Sequence, residues 1–130
     1  MEPIELIARR EALGLSQIKL AEAVGWKHTR ISECEAGKRA IPDWIDAKLV
    51  ELEDQADALA DTLLDAALSQ PAQVVVIPSY VDDQQFWSDW PDCDGLPACV
   101  HRAAAAEALK GAREEGVSAR IVDAGPSIDS

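Results

Sequence analysis

The stretch Gln17–Gly37, QIKLAEAVGWKHTRISECEAG, leaves this chain few folds to choose from. It reads as two short helices joined at Gly25, each with one face of small and apolar residues and one polar face. Leu20 and Val24 lie four apart on the first helix and share a face; Ile31 and Cys34 lie three apart on the second and do the same. Ala21 sits on the side of the first helix that must meet the second, where a methyl group lets two backbones cross closely. Gly25 stands where the chain must reverse, in a φ > 0 conformation that glycine reaches without a Cβ penalty. Ser16 is placed to cap the first helix.

The neighbours of this stretch hold fixed offsets to it: Leu15-Ser16-Gln17, Leu20-Ala21-Glu22, Gly25, Ile31-Ser32, Glu35, then Gly37-Lys38-Arg39. Taken together over roughly Ile4–Val50, the set resembles the helix-turn-helix of the Cro/repressor-type (XRE-like) DNA-binding family. The resemblance implies that the third helix, Lys27–Ala36, is a recognition helix. It implies that Lys27, His28, Thr29, Ser32 and Glu33 face base edges, and that Gln17, Arg30, Lys38 and Arg39 face phosphates. It also implies a structural ion pair between Arg10 and Glu35, tying the first helix to the end of the third. The chain departs from its relatives at three positions. His28 stands where Gln, Arg or Ser is common. Glu33 is a carboxylate in a groove of acceptors and can accept only from cytosine N4 or adenine N6. Trp26 replaces a smaller apolar turn residue and is expected in the core.

A net charge of −12 looks unsuited to nucleic acid, but the charge is unevenly placed. Residues 1–42 carry seven Lys/Arg against six Asp/Glu, and residues 43–130 carry five against eighteen. The acidity belongs to the second part. At physiological salt the Debye length is about 8 Å, so distant carboxylates are largely screened from a docked duplex. They should still oppose loose, sequence-blind binding.

The first helix is expected over Ile4–Leu13, with Leu6, Ile7 and Leu13 toward the core and Gly14 ending it; the second spans about Gln17–Val24. Pro42 and Asp43 suit a helix start. From there a helical pattern runs to about Leu68. Ile45, Leu49, Leu52, Ala56, Leu59, Leu63 and Ala66 alternate spacings of four and three, a heptad seam. Such a helix is about 39 Å long, more than a small domain needs. Its later part should pack on the C-terminal region or on a second copy.

Pro71 breaks the helix. Val74–Ile77 is an unbroken β-branched run, read as a short buried strand. Asp82–Trp90 reads as a short helix with Phe86, Trp87 and Trp90, followed by a turn-rich loop over 91–97. Ala98–Glu115 is an Ala-rich helix with Val100, Ala104, Ala108 and Leu109 inward and Gly116 as its cap. Ala119–Val122 is a second strand, and the tail after Gly125-Pro126 reads as frayed. The expected fold is mainly α: an N-terminal helix-turn-helix bundle, a long linking helix, and a small C-terminal β-α-α-β dimerisation region. The domains are 1–69 and 70–130. The order of parts in the second resembles the dimerisation region of anti-CRISPR-associated repressors. A two-stranded sheet leaves open edges, which invite a homodimer through residues 45–125.

Catalytic chemistry finds little footing. Cys93, Cys99 and His101 lack the spacing of a structural zinc site, and His28 and His101 are the only imidazoles. No phosphate-cradling glycine loop and no Ser/His/Asp set stands out. Neither an enzyme, nor a metal, nor a cofactor is expected. Three cysteines, an odd number, favour reduced thiols and a cytoplasmic location. No apolar run is long enough for a membrane span, and the N-terminus lacks a secretory pattern. The expected partner is double-stranded DNA, bound by a homodimeric repressor at an inverted repeat. The alternative is an antitoxin-like module whose acidic half binds a protein partner.

Overall fold

The computed structural model describes residues 1–125, so the expectation for the tail from Pro126 onward lies outside the described residues. The fold is mainly helical with a small two-stranded sheet near the C-terminus. The chain divides into two compact units, Met1–Gln55 and Ala56–Ser130.

The first unit holds α1 (Pro3–Ala12), α2 (Gln17–Val24), α3 (His28–Glu35) and the opening turns of α4 (Asp43–Leu68). Helix α1 begins one residue earlier than its apolar pattern because Pro3, with φ already set, occupies the first turn. The core of the unit is formed by Leu6, Leu20, Ile31, Cys34, Ile45 and Leu49, all fully buried. Arg9 fastens α1 to α4. Its guanidinium donates to both oxygens of Glu53 at 3.0 and 2.6 Å, to Asp46 at 2.5 Å and to Glu5 at 3.1 Å.

Along α4 the buried positions are Ile45, Leu49, Leu52, Leu59, Leu63 and then Ala67. Ala56 is half-buried and Ala66 is exposed, so the heptad seam fails at its last member. A straight α-helix drifts about 20° per heptad against a 3.5-residue repeat, and the contact face has moved by one position after three repeats.

The second unit contains β1 (Val74–Ser79), α5 (Asp83–Asp89), a 3₁₀ turn (Pro91–Cys93), α6 (Ala98–Glu114) and β2 (Ser118–Asp123). The strands pair in parallel, Val75 beside Ala119 and Ile77 beside Ile121. Helix α6 packs on both strands. The expectation of a buried first strand needs correction. Val75, Ile77 and Ser79 point inward, while Val74 and Val76 are 47% and 42% exposed. With helix on one face only, the unbroken valine run is covered on one side.

Polar contacts set the details of this unit. Gln70 lies beside β1 and acts as a piece of strand: its Nε2 donates to the Val76 carbonyl at 2.7 Å, and its Oε1 accepts from the Val76 N–H at 2.9 Å. Asp83 accepts from the Ala98 N–H at 2.7 Å and caps α6. Trp87 Nε1 donates to the Leu96 carbonyl at 2.7 Å and holds down the loop before it. His101 is fully buried. Its Nδ1 lies 2.8 Å from the Ser79 hydroxyl, and the rings of Tyr80, Phe86 and Trp90 stand edge-on to it at 5.1, 4.9 and 5.6 Å. Among the described residues its Nε2 has no hydrogen-bond partner. No helix among these residues is long and apolar enough to cross a membrane.

Candidate nucleic-acid interface

The local sequence builds the α2–turn–α3 arrangement from both ends. The Ser16 hydroxyl accepts from the Lys19 N–H at 3.0 Å and starts α2. Gly25 ends it at φ +71°, and the Trp26 N–H bonds back to the Ala21 carbonyl at 2.9 Å. The chain then re-enters a helix at His28, with Lys27 as its N-cap residue and Ala36 at its end, so α3 is one residue shorter at each end than its pattern suggests. Leu20, Ala21 and Val24 of α2 and Ile31 and Cys34 of α3 are all buried. Their burial fixes which face of α3 remains outside.

That outer face carries Lys27, His28, Thr29 and Arg30, all exposed, with Ser32 and Glu33 half-buried one turn on. No acidic residue occupies the first turn of α3, so its N-terminal end keeps the positive potential of the helix dipole. Arg30 lies over the Trp26 ring with its guanidinium carbon 5.8 Å from the centroid, and Trp26 meets Trp44 edge-on at 5.2 Å. Trp26 is thus half-buried, not a core residue: it makes a platform for Arg30.

Behind this surface, Arg10 Nε and Nη2 reach both Glu35 oxygens at 2.7 and 2.9 Å, and Nη1 reaches the Leu15 carbonyl at 2.8 Å. Burial alone would raise the Glu35 pKa. Hydrogen bonds from Arg10 and Gln17, and the Arg10 charge, bring it below the ordinary carboxylate value instead. Gln17 Nε2 donates to Glu35 Oε1 at 2.9 Å. The carboxamide expected to face a phosphate thus spends one of its two Nε2 donors on Glu35, and its second N–H and the Gln17 backbone N–H are the donors left for a phosphate. No pattern in the sequence signals this, because a glutamine at a helix start fits either role.

A second unforeseen contact joins two expected site residues. Arg39 Nε donates to Glu33 Oε2 at 2.8 Å, each side chain 41% exposed. Lys38 beside it is exposed. Among the described residues no cluster of His, Cys, Asp and Glu could hold a metal ion. Cys34 is buried, which pushes its thiol pKa up, and Cys93 and Cys99 are half-buried.

Residues 4–63 match the family model described as a helix-turn-helix domain, in keeping with the Cro/repressor-type resemblance of the sequence. None of the curated proteins matches the chain. A helix-turn-helix domain with this exposed face points to a DNA-binding regulator.

Proposed function

We propose that this chain is a sequence-specific transcriptional regulator, a cytoplasmic homodimeric repressor that binds an inverted repeat. The observation that carries the reading is the outer face of α3. Lys27, His28 and Thr29 are exposed at its N-terminal end, while its inner face is locked by Ile31 and Cys34. In this reading Lys27, His28, Thr29 and Ser32 meet base edges in the major groove. Arg30, Lys38 and the Gln17 backbone N–H meet phosphates. Two α3 helices would enter half-sites about 34 Å apart, one helical turn of DNA.

The division of labour follows the sequence reading, with residues 1–69 for DNA and 70–130 for dimerisation. Gln70 already occupies the outer edge of β1, which favours the outer edge of β2 as the line of contact between copies. Ile121 on that strand is 41% exposed and would lie at the contact. Ile121→Lys should then convert a dimer to a monomer, since an edge lysine opposes strand addition.

Selection of bound duplexes from a random pool tests the function. A palindromic preference is expected, and His28→Ala or Thr29→Ala should relax it at defined positions. A chain that selects nothing would end the proposal. An antitoxin-like role is favoured by one observation: Val74, Val76 and Val81 are 47%, 42% and 76% exposed in the acidic half. A monomer whose residues from about 70 onward resist protease only with a protein partner would support that reading instead.

A further inference from the structure

The tie between Arg39 and Glu33 assigns those two residues roles different from the ones their positions suggest. The chain leaves α3 through Gly37 at φ +76°, and the Lys38 N–H bonds back to the Glu33 carbonyl at 2.9 Å. This turn returns Arg39 alongside α3 instead of leading it away. Its Nε then donates to the Glu33 carboxylate at 2.8 Å, on the second turn of the helix. The guanidinium is thereby held against the side of the helix that carries Ser32 and Glu33.

A bare carboxylate at Glu33 would sit poorly against DNA, where the major-groove edge is rich in acceptors and the phosphates repel it. Paired with Arg39 its charge is balanced and its Oε2 already accepts a hydrogen bond. The guanidinium meanwhile has five N–H donors and spends the Nε one on Glu33, which leaves both Nη groups for a ligand. Two parallel donors in a fixed plane match guanine O6 and N7. An arginine on its own loses considerable rotamer freedom in taking up that plane, and a carboxylate on its Nε side holds it there. The pair contributes little to stability as an exposed ion pair. Its effect on orientation grows when a docked duplex excludes water.

We infer that Glu33 is a positioning residue that reads no base, and that Arg39 reads a guanine beside the footprint of His28 and Thr29. The inference rests on the DNA-binding reading above and deepens it. The test is duplex selection from a random pool with the wild-type chain, R39K, R39A, E33A and the double variant E33A/R39A, each checked for helix content. All of the changes fall on exposed or half-exposed side chains. Lysine keeps the charge and loses the fork. R39K should therefore lose about tenfold or more of discrimination at one G·C pair while keeping the salt dependence of affinity. E33A should weaken preference at that same pair, and E33A/R39A should be no worse there than R39A. If R39K keeps every preference, Arg39 is a phosphate contact and the inference fails. If E33A removes a preference that R39K and R39A retain, Glu33 itself reads cytosine and the inference fails. If R39K loses the preference and E33A keeps it, Arg39 reads unaided and the positioning role fails. A wild-type chain without any preference overturns the DNA reading and this inference together, an outcome distinct from the other three.

Discussion

Arg10 and Glu35 meet as a fork on a carboxylate, at 2.7 and 2.9 Å, with the Glu35 side chain 5% exposed and that of Arg10 13% exposed. The pair joins α1 to the last residue of α3, so it holds α3 from behind. Arg10→Met leaves the carboxylate buried with Gln17 as its remaining donor. The expected loss is about 3 kcal/mol, the scale for breaking a buried pair from one side. The pH dependence carries a sign that separates this from lost packing. In the wild type the Glu35 pKa lies below its ordinary value, so the unfolded chain takes up protons first as pH falls. The stabilisation is present above the ordinary carboxylate pKa and is lost as pH falls through the folded value. In Arg10→Met burial acts without its counterweight and the folded pKa rises. The deficit of the variant should then shrink between pH 7 and 4. Urea midpoints across that range check it, and a deficit that stays constant would count against the pair.

His101 predicts acid lability in the second unit. Burial, and then the charge of Arg102, lower its pKa from 6.5 to about 4. Above pH 6.5 the ring is neutral folded or unfolded. Between 6.5 and about 4 the unfolded chain gains a proton that the folded chain refuses, and stability falls by up to about 3 kcal/mol over the window. An imidazolium there would also bring charge among the rings of Tyr80, Phe86 and Trp90. His101→Phe keeps a ring in the box and removes the titrating group. Its unfolding midpoint should lack the added slope over this window. Equal slopes in the two proteins would remove His101 from the account.

The α2–turn–α3 core was legible because its signals are local and agree: apolar residues three and four apart, a cap at Ser16, and a reversal that only Gly25 makes cheaply. Strand Val74–Ser79 was legible as a strand but not in its exposure, since an unbroken valine run fits a strand covered on both faces or on one. What the sequence hid were choices among polar partners. Gln17 could face a phosphate or Glu35, and Arg39 a phosphate or Glu33; nothing in spacing decides between them. His101 was hidden for another reason. Its place depends on the strand that brings Ser79 to it, 22 residues away.

Gly111 marks a close approach between α6 and α4. A Cβ there would stand 2.9 Å from Leu64 Cδ2 and 3.3 Å from Cδ1. Leu64 is half-buried and its tip can turn. Gly111→Ala therefore combines a modest steric cost with a helix-propensity gain of up to about 1 kcal/mol, and the melting temperature should move little. Gly111→Val adds two methyl groups that no rotation of Leu64 clears, at a cost of about 2 kcal/mol. A Val variant as stable as the Ala variant would show that the helices are not held this closely.

Gln70 governs how the sheet ends. Its carboxamide uses both hydrogen-bonding groups of Val76 on the outer side of β1, as an added strand would. Gln70→Ala should cost about 1 kcal/mol, because exposed hydrogen bonds are partly replaced by water. The larger effect is on association. With β1 uncovered, the sheet has two open edges in place of one. Under the proposed dimer one contact closes on itself, whereas two different edges allow copies to add without closure. The Ala variant should therefore form larger species whose mass rises with concentration in light scattering, beyond the dimer expected of the wild type. Gln70→Glu offers an acceptor to the Val76 N–H but no donor to its carbonyl, so it should fall between the two. A Gln70→Ala protein with the mass and stability of the wild type would mean that the side chain does not guard the edge.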